Sequence, residues 1–387
     1  MYRGMTGNYE VSIIAGERIK AFVPYPLPPD PPLKLTYQRQ RLLERATLAL
    51  GRLDSITLLL PDPDLFLYAY VRREAVLSSQ IEGTQSSLAQ LLLFELTEAP
   101  GVPMDDVVEV SNYVAALTHG LRRLKDGFPL CNRLIREMHA ILLSSGRGSE
   151  RSPGKFRKTQ NWIGGNRPSN ASFVPPPPHR VEECMAQLER FLHNRRNPYP
   201  ALVKAALAHA QFETIHPFLD GNGRIGRLLI AFILHSDGIL SQPLLYLSLY
   251  FKQHRSDYYH LLNEVRFHGN WEAWVDFFLK GVEHTASNAV TIARRLVSLF
   301  QRDERKIQKF GRRASTMLRV FQIFKERPVT NLKQINQRTR LSFPAVAKAV
   351  QILERVGVIK EVTGQRRNRI FAYKQYLKIL SEGTESL

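Results

Sequence analysis

The sequence predicts a mainly α-helical protein: a helical bundle interrupted by one β-hairpin, followed by a small C-terminal module that ends in two strands. Three observations carry this expectation. Apolar residues recur at helical spacing through most of the stretch between residues 35 and 308. Residues 147–180 break that pattern with many Gly, Pro, Asn and Arg residues around two short apolar patches. Beyond residue 313 three short helical patterns give way to two β-type runs around a basic turn.

The elements follow in order. Residues 1–34 read as an irregular arm, because Pro24-Tyr25-Pro26-Leu27-Pro28-Pro29-Asp30-Pro31-Pro32 can be neither helix nor central strand. Helical spacing begins at Leu35, with Leu42, Leu43, Ala46, Leu48 and Leu50 in one segment, and Pro61 and Pro63 break it. A second helix spans about Leu65 to Gln80. Val107, Val110, Val114, Leu117 and Leu121 mark a helix over 105–127, and another runs from Cys131 to Leu143. Gln160-Asn161-Trp162-Ile163-Gly164-Gly165 and Ser172-Phe173-Val174 are the two sides of the expected hairpin, closed by Pro175 to Pro178. Helices resume at Val181 to His193 and Ala201 to Thr214. After a polar turn come helices at Arg224 to Leu234, Leu244 to Phe251 and Asp257 to Phe267, then a long one from Trp271 toward Gln308.

Length and charge bound the organisation. A chain of 387 residues has ample core and room for two or three domains. The formal charge is +19, but residues 301–387 hold 20 Lys and Arg against 7 Asp and Glu, a net of +13. The other 300 residues carry only +6, so the excess marks a C-terminal module with an anionic partner rather than a generally basic protein. The reading is therefore an N-terminal arm and helical region over 1–104, a core over 105–290, a helical linker over 291–312 and a module over 313–387. Near Met1 there is no secretory apolar stretch, and no apolar run is long enough to span a bilayer, so no membrane partner is expected. Cys131 and Cys184 lack metal-site spacing and are too few for a disulfide framework; reduced thiols and a cytoplasmic location are expected.

The densest chemistry lies in His216 to Arg227, which reads H-P-F-L-D-G-N-G-R-I-G-R. It holds a titratable base, a carboxylate, a Gly-Asn-Gly turn and two arginines. The glycines let several backbone N–H groups point at one anion, and the helix beginning just after them adds its positive end. Arg224 and Arg227, three apart, can share a helix face and grip two phosphates. Asp220 stands where it could hold a Mg²⁺ bridging phosphate oxygens. His216 is left to accept a proton from an attacking hydroxyl. Positioning, charge neutralisation and one general base make a working set for phosphoryl or nucleotidyl transfer.

The run matches every position of the signature of the Fic (filamentation-induced-by-cAMP) family, H-x-F-x-D/E-G-N-G-R-x-x-R, and the resemblance covers roughly residues 105–290. It implies a compact helical bundle with one hairpin beside the active site, and transfer of AMP from ATP to a Ser, Thr or Tyr hydroxyl of a target protein. It makes His216 the base, Asp220 the Mg²⁺ ligand and Gly221, Asn222 and Gly223 the anion hole. Arg224, Gly226 and Arg227 would hold the nucleotide's phosphates. The hairpin resembles the family's flap, which docks a target segment as an added strand around residues 160–175, with Ile163 and Gly164 against the nucleotide. Arg255-Ser256-Asp257-Tyr258-Tyr259 resembles the stretch bordering the base pocket, where Tyr258 and Tyr259 could fence a purine, although at helical spacing either could be core.

Ser78-Ser79-Gln80-Ile81-Glu82-Gly83 adds a brake. Ser78 and Glu82 are four apart on a helix, and Gly83 is a natural terminator. A carboxylate at a helix C-terminus is electrostatically misplaced unless a cation faces it. The pattern resembles the family's inhibitory motif, S/T-x-x-x-E-G/N. By that resemblance Glu82 pairs with Arg227 and takes the place of the γ-phosphate.

In the C-terminal module, Met317, Val320, Phe321 and Phe324 lie on a helix that stops before Pro328. Thr330 would cap a short helix ending near Arg340. Ser342 would cap the next, with Pro344 in its first turn and Val346, Ala349, Val350 and Leu353 as its buried stripe. Val358 to Val362 and Arg369 to Tyr373 read as strands. The pattern resembles a winged helix-turn-helix, with Lys348, Arg366, Arg367 and Arg369 as candidate DNA contacts. Such modules also bind proteins or dimerise, so DNA, a protein partner and a homodimer are all open on the residues alone. Two rival functions are open as well: a DNA-binding regulator whose core only senses nucleotide, and a transferase using a different nucleotide donor.

Overall fold

The structure is a computed structural model that describes residues 3–14, 17–59, 63–97, 104–194, 196–242 and 244–384. It is mainly helical, as the spacing predicts. Two antiparallel strands, β1 (Gly7–Ile14) and β2 (Glu17–Pro24), precede the first helices, α1 (Tyr37–Leu59), α2 (Pro63–Ile81), α3 (Leu88–Thr97) and α4 (Met104–Lys125). The central group is α5 (Asn132–Leu142), α6 (Pro178–His193), α7 (Ala201–Ile215) and α8 (Asn222–Ser236). Then come α9 (Ser248–Gln253), α10 (Arg255–His268) and α11 (Trp271–Gln308). The module holds α12 (Ala314–Glu326), β3 (Val329–Asn331), α13 (Leu332–Thr339), α14 (Phe343–Arg355), β4 (Lys360–Glu361), β5 (Ile370–Ala372) and α15 (Lys374–Ser381).

One apolar core runs through all of this, from Leu33 to Leu380. Its centre is α7, where every residue from Leu202 to Ile215 is buried, and α8, buried almost throughout. The alanines of α7 let neighbouring helices approach closely, and no polar face is left for water. The 38 residues of α11 form the longest strut, roughly 57 Å at 1.5 Å per residue, packed along α1 and touching α7, α9, α10, α12 and α15. It crosses residue 290 without a break.

Five expectations need correction. The N-terminal arm is not irregular up to residue 24. Ile19 and Ala21 alternate with exposed Arg18 and Lys20, and the Phe22 N–H donates to the Val174 carbonyl at 2.9 Å. That period of two was in the sequence, overshadowed by the prolines that follow. The expected hairpin at 160–175 shrinks to a single bridge between Ile163 and Phe173. Gly164 and Gly165 both adopt positive φ (70° and 72°), and Asn170 Oδ1 accepts from the N–H groups of Asn166 and Arg167, so side chains take the bonds a ladder would have used. The buried run Leu244 to Leu247 is not helical, and α9 begins only at Ser248; a short apolar run does not by itself distinguish the two. Thr330 lies in β3, and Asn331 caps α13 through its side chain, which accepts from Gln334 N–H at 2.9 Å. Ser342 stands at the N-cap of α14 but makes no side-chain cap bond. Pro61 lies outside the described residues, while Pro63 opens α2, where its missing N–H costs nothing.

In the C-terminal module the three strands pair antiparallel in the order β3-β5-β4. Arg340, at φ 54°, turns the chain between α13 and α14. Residues 362–369 form the loop from β4 to β5.

Candidate active site

The site forms where α7 ends and α8 begins. His216 is the C-cap of α7 in the left-handed conformation (φ 49°, ψ 60°), its N–H bonded to the Phe212 carbonyl at 2.9 Å. A non-glycine residue held there costs energy that the surroundings must offset. Buried Arg157 supplies part of the offset: its Nε donates to the His216 carbonyl at 2.9 Å, and its other nitrogens reach the Thr159, Pro176 and Ile215 carbonyls. Gly221 (φ 76°) then reverses the chain, and α8 starts at Asn222. The Asn222 side chain bonds to Phe218 twice, accepting from its N–H and donating to its carbonyl, both at 2.8 Å. Its amide therefore staples the loop; only its backbone is left for an anion.

His139 of α5 supports the same loop from below. Its Nδ1 accepts from Gly154 N–H at 2.8 Å, so Nε2 carries the proton and donates to the Asp220 carbonyl at 2.9 Å. The ring stacks on Phe218 with centroids 3.7 Å apart. Burial pushes its pKa down to about 4, which keeps it neutral.

The two arginines diverge instead of sharing one task. Arg224 is buried and donates to Glu109 of α4 at 2.6 Å, with Asp220 3.5 Å away. Arg227 turns to α2: its Nε donates to Ser78 Oγ at 2.8 Å, and one terminal nitrogen donates to the Ser78 carbonyl at 2.9 Å and to Glu82 Oε1 at 2.8 Å. The expected Glu82–Arg227 pair is thus present. Glu82 also covers the first turn of α8, since a Cβ added at Gly223 would stand 2.2 Å from Glu82 Oε1. The carboxylate sits at the positive helix end, where the first backbone N–H groups have no helical partner. Burial raises its pKa, but Arg227 and Arg224 outweigh that and hold it below the usual carboxylate range.

His216 is neutral for a physical reason. Burial first, then the positive charges of Arg157 and Arg266, push it down to about 3, against a smaller opposing effect of Glu82. Its Nδ1 is buried, leaving Nε2 as the nitrogen able to take a proton. Arg266 of α10 donates to Thr214 Oγ1 and the Glu213 carbonyl at 3.2 and 3.0 Å, and lies 3.9 Å over the Phe173 ring. It therefore ties the 160–175 loop to the last turn of α7. Asn161 adds a second tie, its amide donating to the Phe218 carbonyl at 2.9 Å.

Of the two tyrosines, Tyr258 does not fence a nucleotide. It is buried, bonded to His209 Nε2 at 2.9 Å and stacked on Phe251. At helical spacing one of two adjacent residues had to face the core, and it is this one. Tyr259 is partly exposed and lies within the electrostatic reach of Glu82 and Arg227. Ile163 pairs with Phe173 as described, and Gly164 is exposed.

Glu109, His139, Arg157, Asn161 and Arg266 escaped the sequence reading. Nothing near Arg224 in sequence names Glu109, which is 115 residues away.

Asp220 is half-buried beside the turn, with Arg224 3.5 Å from its Oδ1. Its Oδ1 accepts from Gly221 N–H at 2.6 Å, and a Cβ at Gly148 would come within 2.6 Å of Oδ2, so only glycine leaves that oxygen its space. Among the described residues no group of three or more His, Cys, Asp or Glu side chains could hold a metal ion. A single carboxylate suits Mg²⁺ that is bound chiefly through substrate phosphates, not through an all-protein cage.

Known proteins resemble this chain over both the α2 and the α8 regions. Residues 40–122 match the family model described as Fic/DOC family N-terminal, and residues 129–234 match Fic/DOC family. The protein adenylyltransferase Fic of Drosophila grimshawi is 31% identical over 208 residues, which cover 53% of this chain and 40% of that protein. The Drosophila melanogaster protein of the same name is also 31% identical, with 39% of its length covered. The chain thus spans about two fifths of the length of these curated relatives. A Fic family protein from Desulfovibrio desulfuricans G20 shares the fold at a TM-score of 0.56 and 21% identity, over 88% of this chain and 97% of that one. A Fic domain containing signaling protein from Bacteroides thetaiotaomicron gives a TM-score of 0.52 at 20% identity, over 64% and 95%. Ser78 and Glu82 fall in the first matched stretch and the whole His216–Arg227 run in the second, so residues 40–122 and 129–234 of this chain carry the two regions of the Fic/DOC family.

Proposed function

We propose that this chain is a protein adenylyltransferase that moves AMP from ATP to a Ser, Thr or Tyr hydroxyl of a target protein or of itself. The observation that carries the reading is the head of α8. A neutral histidine, free helix N–H groups and an arginine held by a removable carboxylate converge there. In the proposed reaction the hydroxyl gives its proton to His216 Nε2 as its oxygen attacks the α-phosphorus. The bond from that phosphorus to the β-phosphate oxygen breaks, and pyrophosphate leaves. The N–H groups of the first turn of α8 receive phosphate oxygens, and Arg227, once freed, neutralises the terminal phosphates. Asp220 would hold Mg²⁺, which when bound supplies further charge neutralisation at the phosphates.

Glu82 is the brake in this reading. It occupies the charge partner and the space that the terminal phosphate needs. The 160–175 loop, tied through Arg266 and Asn161 to the residues on either side of His216, is the proposed docking place for a target segment in extended form.

The C-terminal module supports a second activity. Its α13–α14 turn and β4–β5 loop fit a winged helix-turn-helix, and Lys348, Arg366, Arg367 and Arg369 are all exposed on it. Binding to duplex DNA is the proposal, with strong dependence on salt.

The test weighs intact wild type, Glu82→Gly and His216→Ala after incubation with Mg²⁺ and each ribonucleoside triphosphate. An AMP increment that rises in Glu82→Gly and vanishes in His216→Ala is expected. Equal increments in all three variants would overturn the assignment of base and brake.

A further inference from the structure

The C-terminal module is fastened directly to the helix that carries the brake. Arg73 of α2 donates to the Glu382 carbonyl at 2.8 Å, and Gln80 of α2 donates to the Thr384 carbonyl at 2.9 Å. The Glu382 carboxylate accepts two bonds of 2.6 Å from Arg295 of α11. Gly383, at φ 81°, lies so close to α9 that a Cβ on it would stand 2.8 Å from Leu249 Cδ1. Residues 382–384 therefore run from an exposed edge at Glu382 into a crevice between α2, α9 and α11, where Thr384 is buried.

Gln80 is fully engaged in this crevice. Its amide also donates to the Ser86 carbonyl at 3.1 Å, and its Oε1 accepts from Lys252 Nζ at 2.8 Å. It stands two residues from Glu82 and two from Ser78, on the same last turn. Farther along α2, Arg327 of the module lies 5.5 Å over the Tyr68 ring. One side of α2 thus meets Arg227 through Ser78 and Glu82, while Tyr68, Arg73 and Gln80 meet the C-terminal module.

We infer that residues 382–384 are a clamp that keeps α2 in its inhibitory position, so that undocking the C-terminal module from α2 releases the transferase. The inference rests on the reading of Glu82 as a brake. It supplies that brake with a handle: a ligand that favours the undocked module raises transfer by its preference for that state. Coupling is reciprocal, so a nucleotide that displaces Glu82 from Arg227 loosens the clamp in turn.

The experiment compares self-modification by wild type, Glu82→Gly, a chain ending at Ser381, and Gly383→Val, which strains a left-handed position and crowds Leu249. Thermal unfolding checks that each variant is folded, and Gly383→Val keeps the test available if the shortened chain is not. Both clamp variants are expected to raise the rate roughly 5- to 150-fold, the usual range for coupled sites. Neither should add to Glu82→Gly, because both act through the same brake. Wild-type rates in the folded clamp variants, alongside a raised rate in Glu82→Gly, would overturn the clamp and leave the brake standing. No rise in Glu82→Gly would remove the brake, and the clamp with it.

Discussion

Arginine meets opposite surroundings in two regions of this molecule. At the head of α8, Arg224 and Arg227 are buried and each meets a carboxylate from a distant part of the chain, Glu109 of α4 and Glu82 just past the end of α2. In the β4–β5 loop, Arg366, Arg367 and Arg369 are exposed to solvent. A buried guanidinium is worth whatever its partner makes it worth, and removing the partner leaves an uncompensated charge. An exposed one is worth little to the fold and is left for an external anion, screened by salt. The lesson is that a count of basic residues does not separate arginines paired inside the fold from arginines left to solvent; burial and partner do.

The sharpest way to break the comparison acts on the core alone. His216→Ala should lower transfer by roughly 10²- to 10⁴-fold, the usual contribution of a general base, while DNA affinity stays at the wild-type value. A parallel loss of DNA binding in a gel-shift assay would show that the two regions are not separable.

Glu109→Ala comes next. It strips Arg224 of its buried partner and should destabilise the protein by about 3–5 kcal/mol, read as a fall in the denaturant midpoint. A loss below about 1 kcal/mol, the level of an exposed pair, would place Arg224 in the same class as the loop arginines.

The converse substitution, Arg366, Arg367 and Arg369 together to Ala, should leave stability and transfer unchanged. It should weaken DNA binding and reduce the slope of log affinity against log salt by about 2–3, close to 0.9 per lost phosphate contact. An unchanged slope would mean that the loop does not touch the phosphate backbone.

The smallest effect concerns pH. Burial lowers His139 to about 4 and both His209 and His216 to about 3, from 6.5. The unfolded chain therefore takes up protons first, so this contribution is complete above about 6.5 and is lost as pH falls toward 4. Glu74 and Glu213, raised by burial from 4.5 to about 7, work the other way and favour the folded state at lower pH. Glu109, also raised by burial, joins them, and three groups against three predict little net change of stability between pH 6.5 and 4.5. His209→Gln should tilt the profile so that stability rises as pH falls; an unaltered profile would show that His209 does not titrate on unfolding.

Legibility in the sequence followed the same division. The helices of the core were readable because apolar spacing is local, and the His216–Gly221–Asn222 turn was readable because the residues that shape it are adjacent. The β1–β2 pair was also local but lay beside a stronger proline signal. The hairpin was overestimated at 160–175 because the bonds of Asn170 to Asn166 and Arg167 compete with a ladder, and composition does not reveal that competition.

By itself, then, the sequence determined the helical class, the place of the turn at the head of α8, the histidine beside it and the basic character of the last 87 residues. Tertiary structure decided the partners: Glu109 for Arg224, Ser78 and Glu82 for Arg227, Arg157 and Arg266 around His216, and residues 382–384 for α2. The reason is physical. A turn or a cap is satisfied within a few residues, whereas a buried guanidinium needs acceptors, a carboxylate for Arg224 and Arg227 and backbone carbonyls for Arg157 and Arg266, that can come from any part of the chain, and only packing selects which arrive.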